Sequence, residues 1–272
     1  VKKNPLPVRS IFLTAALLTL SSGGAWAEGL GTDQTGAENS GLTILNNATD
    51  VTHWGLGGGV SIGESPYKGY GSKVYPFPLV DFDDKWVHLL GTTVDLKIGS
   101  WDGVSVALRG RFDLGDGYKQ SDAPILNGMQ DRHGAFWYGP ALAWHTAFGT
   151  LSGDYLLGGN KGERAGVDYS KSFNLGTFSI TPHVGVEWLS EKYVDYYYGV
   201  SPSEARPGRP AYTGTATWNT SLGTRVDYSL TEHQRVLLDV GVSRLGGAIA
   251  DSPLVGKRYV PAVRIAYRYQ FK

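Results

Sequence analysis

Residues Tyr259 to Phe271 read Y-V-P-A-V-R-I-A-Y-R-Y-Q-F, and the alternation within them decides the fold. Val263, Ile265, Tyr267, Tyr269 and Phe271 fall on one side at period two, while Arg264, Arg268 and Gln270 fall on the other with Ala262 and Ala266. Successive side chains of a strand point to opposite faces, so the segment predicts a strand with an apolar face back to back with a cationic one. In a water-soluble sandwich the apolar face would end in aliphatic residues packing a core. Here it ends in the aromatics Tyr267, Tyr269 and Phe271, as on a lipid-facing strand whose apolar band is closed by an aromatic girdle. Hydrocarbon tolerates no open sheet edge, so the preceding strands must close a cylinder with this one. The expected fold is all-β: an antiparallel transmembrane β-barrel with an even number of strands.

The other end of the sequence fits export. Lys2, Lys3 and Arg9 form a basic region, Ile11 to Leu20 is an apolar run too short to span a bilayer, and Ala25-Trp26-Ala27 is a small-residue cleavage site. Residues 1–27 are therefore expected to be a signal peptide. Residues 28–53 are expected to be a polar, flexible periplasmic lead-in, and 54–272 the barrel in the outer membrane. Formal net charge is zero, 25 basic against 25 acidic residues, which argues against a nucleic-acid partner. There is no cysteine, so neither disulfides nor thiol chemistry is available. The mean hydropathy of −0.20 resembles that of a soluble protein, but lipid-facing and lumen-facing residues average out in a barrel.

Along the chain, Trp54 to Ile62 predicts a first strand with Trp54, Leu56, Val60 and Ile62 outward and small residues inward. Val74 to Phe82 carries Pro76 and Pro78, which remove two ladder donors and predict an edge, a bulge or a segment that does not span. Trp86–Ile98, Val104–Asp113, Phe136–Trp144, Thr150–Leu157, Val167–Phe173, Phe178–Trp188, Ala216–Tyr228 and Arg235–Leu245 follow as strands. Connections at 99–103, 146–149, 174–177 and 229–233 are short, and those at 114–133, 158–165, 190–212 and 246–257 are long. That alternation matches periplasmic turns and external loops. It makes Trp86–Ile98 a downward strand and leaves room for one upward crossing before it. Ten strands are preferred on this count. Twelve requires a further crossing, for which Gly41 to Leu45 is the candidate.

Several stretches together resemble the MipA/OmpV family of outer-membrane proteins. They are G-L-G-G-G-V (Gly55 to Val60), P-Y-K-G-Y (Pro66 to Tyr70), Y-P-F-P-L-V-D (Tyr75 to Asp81), Y-V-D-Y-Y-Y-G-V-S-P-S-E-A (Tyr193 to Ala205), R-P-A-Y (Arg209 to Tyr212), D-S-P-L-V (Asp251 to Val255) and the terminal Y-R-Y-Q-F. The resemblance implies an integral outer-membrane barrel, and one role described in the family is a scaffold joining a murein lytic transglycosylase to a penicillin-binding protein. It implies no catalytic residues. Lys272 after Phe271 departs from the usual terminal aromatic, and recognition by the assembly machinery is the property this affects.

Inward positions carry Asp95, Lys97, Arg109, Arg111, Asp113, His183, Glu187, Arg225, Asp227, Asp239, Arg264 and Arg268. Either they line a pore or solute site, or they form ion pairs filling a narrow lumen, and the ion-pair reading is preferred because a small barrel is filled by its own side chains. The external stretch with Tyr196, Tyr197, Tyr198, Arg206 and Arg209 has the composition of a binding surface, and equally that of a loop folded back as a cap. A hydrolase would need a nucleophile beside an inward histidine. His145 and His183 are read as inward, with Asp154, Ser179 and Glu187 available, yet no nucleophile motif occurs. No metal or cofactor is expected. The function expected is a structural or scaffolding role in contact with outer-membrane lipid, with a narrow channel or solute site as the alternative.

Overall fold

The computed structural model describes residues 43–44, 52–113 and 117–271. The expected signal peptide, nearly all of the lead-in and Lys272 lie outside the described residues. Among the described residues fourteen strands form one antiparallel sheet: β1 Thr43–Ile44, β2 His53–Glu64, β3 Ser72–Asp83, β4 Val87–Leu90, β5 Thr93–Trp101, β6 Val104–Phe112, β7 Phe136–Thr146, β8 Gly149–Leu157, β9 Glu163–Ser170, β10 Phe173–Leu175, β11 Phe178–Leu189, β12 Thr217–Ser229, β13 Gln234–Arg244 and β14 Tyr259–Gln270. Twelve close a ring. Each of β2 to β8 pairs with its successor, β9 pairs with β11, and β11 to β14 continue to the seam where β14 meets β2. Off the ring, β10 extends the edge of β11 and β1 pairs with β5 at Gly99 and Ser100. Thr43–Ile44, within the stretch considered as an extra crossing, is thus a two-residue pairing and not a span.

The preferred count of ten is corrected to twelve, for two reasons. The diproline segment is a full strand of 12 residues paired along its length with β2. The stretch read as one strand over Trp86–Ile98 turns back at Gly91 and Thr92, giving an upward β4 and a downward β5. Gly91 has φ 61, a conformation open to glycine, and this reversal was hidden because apolar residues run through it. The prolines are tolerated for a geometric reason. Val80 accepts a hydrogen bond from the Gly91 amide at 2.8 Å, so the backbone groups of even-numbered β3 residues point away from β2. Pro76 and Pro78 share that parity, and β4 pairs with β3 only over Asp81–Asp83. Their missing donors face the side on which, among the described residues, no strand lies alongside Ser72–Leu79. The expected edge exists, in a strand that spans.

The outer face is apolar, with Leu56, Val60, Leu96, Leu108, Leu142, Val186, Leu222, Val240 and Ile265 all exposed. Aromatics mark both rims. Trp54 stacks on Phe271 at 4.2 Å and Phe178 on Tyr228 at 4.5 Å at the short-turn end, while Phe136, Trp218 and Tyr259 stand at the other. Tyr267, Tyr269 and Phe271 all face outward, with Tyr269 edge-on to Phe271 at 4.9 Å.

The seam between the first and last ring strands depends on absent side chains. A Cβ at Gly57 would lie 2.0 Å from the Tyr267 carbonyl oxygen, and one at Gly59 2.5 Å from that of Ile265. Gly58, of opposite parity, has nothing nearer than 3.4 Å. Gly57→Ala is therefore expected to lower stability by about 1–3 kcal/mol through overpacking, with Gly58→Ala close to neutral. Urea midpoints of protein refolded in vesicles measure the difference.

Candidate functional site: a capped, ion-paired lumen

Inward parity on neighbouring strands brings opposite charges into register. Asp95 and Arg109 are directly opposed on β5 and β6, and Arg109 donates two bonds of 2.8 Å to Asp95 and one of 2.9 Å to Asp154 on β8. Higher in the lumen Arg164 on β9 donates to Asp113 at 2.7 Å and also to Glu187 on β11. The Arg111 Nε lies 3.4 Å from Asp113. Lower down, Arg225 bonds Asp227 at 2.9 Å, His183 meets Asp239 at 3.1 Å, Arg268 donates to Asp81, and Lys97 reaches Asp83. Arg264 is buried directly opposite Asp239 across the β13–β14 pair. Arg109, Arg164 and Arg268 reach across to other strands and brace the wall from inside, whereas Arg225 and Arg111 pair along their own strands.

Above this network the external connections fold inward as a cap. Helix α1, Glu191–Tyr198, begins at Ser190, whose hydroxyl accepts from the Tyr193 amide. Its Tyr193, Val194 and Tyr197 pack on Trp137, Leu156, Leu189, Leu245, Ile249 and Val260, joining α1 to the barrel rim and to the short helix α2, Gly247–Ala250. A second cluster joins Tyr67, Tyr118, Leu126, Met129, Val200 and Leu254 from four different connections. Hydrogen bonds tie the two layers: Tyr67 to the Tyr197 carbonyl at 3.0 Å, Tyr212 to that of Ala248 at 2.7 Å, and Ser252 to that of Tyr198 at 2.7 Å.

A barrel with alternating faces, two girdles and this arrangement of short turns and long loops matches the family model described as MltA-interacting protein MipA over residues 56–271. The chain belongs to the MipA family. The MltA-interacting protein of Escherichia coli (strain K12) is 30% identical over 239 residues, covering 84% of this chain and 96% of that protein. The outer membrane protein OmpV of Vibrio cholerae is 29% identical over 167 residues, 59% of this chain and 65% of that one. Among solved structures the NanC porin aligns at TM-score 0.42 and 9% identity over 79% of this chain and 98% of its own, and an outer membrane channel from Pseudomonas putida F1 aligns at TM-score 0.40 and 14% identity over 89% and 100%. The MipA-family chain is an outer-membrane protein.

The remaining candidates fall into place against this geometry. Tyr197 and Arg209 are buried within the cap. Arg209 donates to the carbonyls of Glu204 at 3.1 Å and Asn127 at 3.0 Å. Arg206 donates to the Pro124 carbonyl, Tyr198 stacks on Tyr67 at 5.6 Å, and Tyr196 takes Arg132 against its ring. His145 is corrected: it is not a lumen group but lies exposed at the periplasmic rim, 3.1 Å from the Thr150 hydroxyl, because β7 runs past the end of the wall there. Asp154 and Glu187 are held by arginines, so the acidic groups considered for hydrolysis bridge strands. Sequence reasoning missed Asp81, Asp154 and Arg164 as members of the network. It also missed the cap's apolar core, whose signal was the pairs Ile125-Leu126 and Leu254-Val255 inside otherwise polar loops.

Removing a bridging charge isolates its partners. Arg164→Ala, which strips Asp113 and Glu187 of their main partner, is expected to cost about 3–5 kcal/mol. Lys257→Ala, which breaks the exposed pair with Glu64, is expected to cost under about 1 kcal/mol; urea unfolding compares the two.

In the cap, burial opposes the charge of Glu204. The Gln130 amide, the Ser201 hydroxyl and amide, and Arg132 outweigh it and hold the carboxyl below the ordinary glutamate value. A depressed folded pKa adds stability that is present above the unfolded value and lost as pH falls through the folded one. The cap is thus expected to loosen below about pH 4. Hydrogen exchange in 117–132 and 200–212 should rise there, and Glu204→Gln should flatten that dependence.

Proposed function

We propose that this barrel is a non-enzymatic structural protein of the envelope that holds a murein lytic transglycosylase at its periplasmic face, with a penicillin-binding protein as a further partner. The observation that carries the reading is the doubly obstructed lumen: arginine bridges cross-brace the wall, and a cap with its own apolar core covers the outer mouth. A chain built in that way is suited to standing rigidly in outer-membrane lipid. The surfaces it offers to soluble partners in the periplasm include the turns at 84–86, 102–103, 147–148, 176–177 and 230–233. The Escherichia coli relative named for its interaction with MltA supports the choice of partner.

A second reading, a site for a small polar solute, draws on one feature. The Nη2 of Arg111 and the Nε1 of its cross-strand neighbour Trp137 are buried without a hydrogen-bond acceptor among the described residues, and the Arg111 Nε meets Asp113 only as an ion pair at 3.4 Å.

A photo-crosslinker placed at Glu232 is expected to capture a lytic transglycosylase in intact envelopes, and the same group at Arg206 on the opposite end is not. Capture of no murein enzyme from Glu232 would remove the scaffold reading. In planar bilayers the refolded protein is expected to stay silent, whereas steady salt-dependent conductance would favour the solute path.

A further inference from the structure

The wall is not uniform in height. The β4–β5 hairpin turns at Gly91–Thr92, level with Val80 on β3, only a few residues above the periplasmic turn. From Ser72 to Leu79, roughly 25 Å of strand, β3 has β2 on one side and, among the described residues, no strand on the other. This notch opens in the outer half of the barrel, between β3 and the top of β6.

Three observations at the notch point the same way. First, Pro76 and Pro78 delete the amide donors that the open edge would otherwise direct into hydrocarbon, where an unpaired donor is costly, and the same deletion denies an incoming strand its ladder. The edge is suited to lipid and unsuited to strand addition. Second, the lumen face of β3 is Tyr75, Phe77 and Leu79, whereas β6, β9, β12 and β14 present arginines inward. The Phe77 ring lies over Gly59, where a Cβ would come within 2.5 Å of it. Lipid-facing Val74 and Val80 lie on the other face of the same strand, so β3 is apolar on both faces, exposed outside and buried inside at Tyr75 and Leu79. Third, the rim above the notch is basic. Lys73 pairs with Asp122 beside exposed Lys119, and exposed Lys68 and Lys257 stand on the neighbouring connections over β2, Lys257 paired with Glu64.

We propose that the notch is a lateral entrance through which an acyl chain of an anionic outer-leaflet lipid reaches the inner face of β3, its phosphate resting on the lysine rim. The occupant is set by the chemistry: an apolar tail for the Tyr75, Phe77 and Leu79 face, and a negative headgroup for Lys68, Lys73 and Lys257. This role is separate from holding a periplasmic partner and uses the opposite half of the molecule.

The absence of cysteine allows a direct test on the full chain. A fluorophore is attached at Leu79→Cys, at Val80→Cys on the lipid face, and at Ser221→Cys, on the lumen face of β12. Each protein is refolded in phosphatidylglycerol vesicles containing a phospholipid with a nitroxide on its acyl chain. The Leu79 label is expected to lose most of its emission, as the Val80 label does, while the Ser221 label keeps its own. Phe77→Cys serves as a second lumen position if Leu79→Cys does not fold. Lumen labels at β3 that behave like the one at Ser221 would overturn the entrance. Replacing the anionic lipids by phosphatidylcholine, or Lys68 and Lys257 by glutamate, is expected to reduce the quenching, and unchanged quenching would overturn the headgroup assignment.

Discussion

Hydrocarbon offers a backbone amide nothing to bond to, and most of this molecule is arranged around that fact. The ring of strands satisfies main-chain groups by pairing each strand with two neighbours, and the inward glycines of β2 let the first and last strands approach closely enough to finish it. Where, among the described residues, a neighbour is missing, along the outer part of β3, the sequence removes donors instead of supplying acceptors. Proline, a breaker in a central strand, is here the residue that makes an unpartnered edge tolerable in lipid.

The same requirement governs the interior in another form. A narrow lumen gives charged groups little water, so a cation without a partner is as poorly placed there as an unpaired amide in the wall. Arg109 and Arg164 each meet two carboxylates from different strands, which satisfies the ions and ties non-adjacent parts of the cylinder together. The cap repeats the principle with apolar side chains. Loops that are each mostly polar share two clusters, and the carbonyls they leave are taken by Arg209, Arg132 and tyrosine hydroxyls.

Alternation made the barrel and its inward charges legible, because period two is a local property and Tyr259–Phe271 displays it without interruption. The strand count was not legible, because Leu89, Leu90 and Val94 keep an apolar texture through a reversal that depends on Gly91 alone. The register that turns Arg164 into a bridge between Asp113 and Glu187 is a property of three strands far apart in sequence, and no spacing encodes it. Arg164 was overlooked because the first half of β9 has no large apolar residue facing lipid to reveal the period. The cap was legible only as one alternative for the loop with Tyr196–Tyr198, and its apolar core was not: each loop is mostly polar, and its few apolar residues acquire meaning only against those of other loops.

The two apolar clusters of the cap draw on residues from Tyr67, just after the first ring strand, to Val260, within the last. No partial barrel can assemble such a roof, since Leu245, Ile249, Leu254 and Val260 arrive with the final hairpin. A complete seal of the outer end therefore requires the last two ring strands and their connection, the same segments that close the ring at β2.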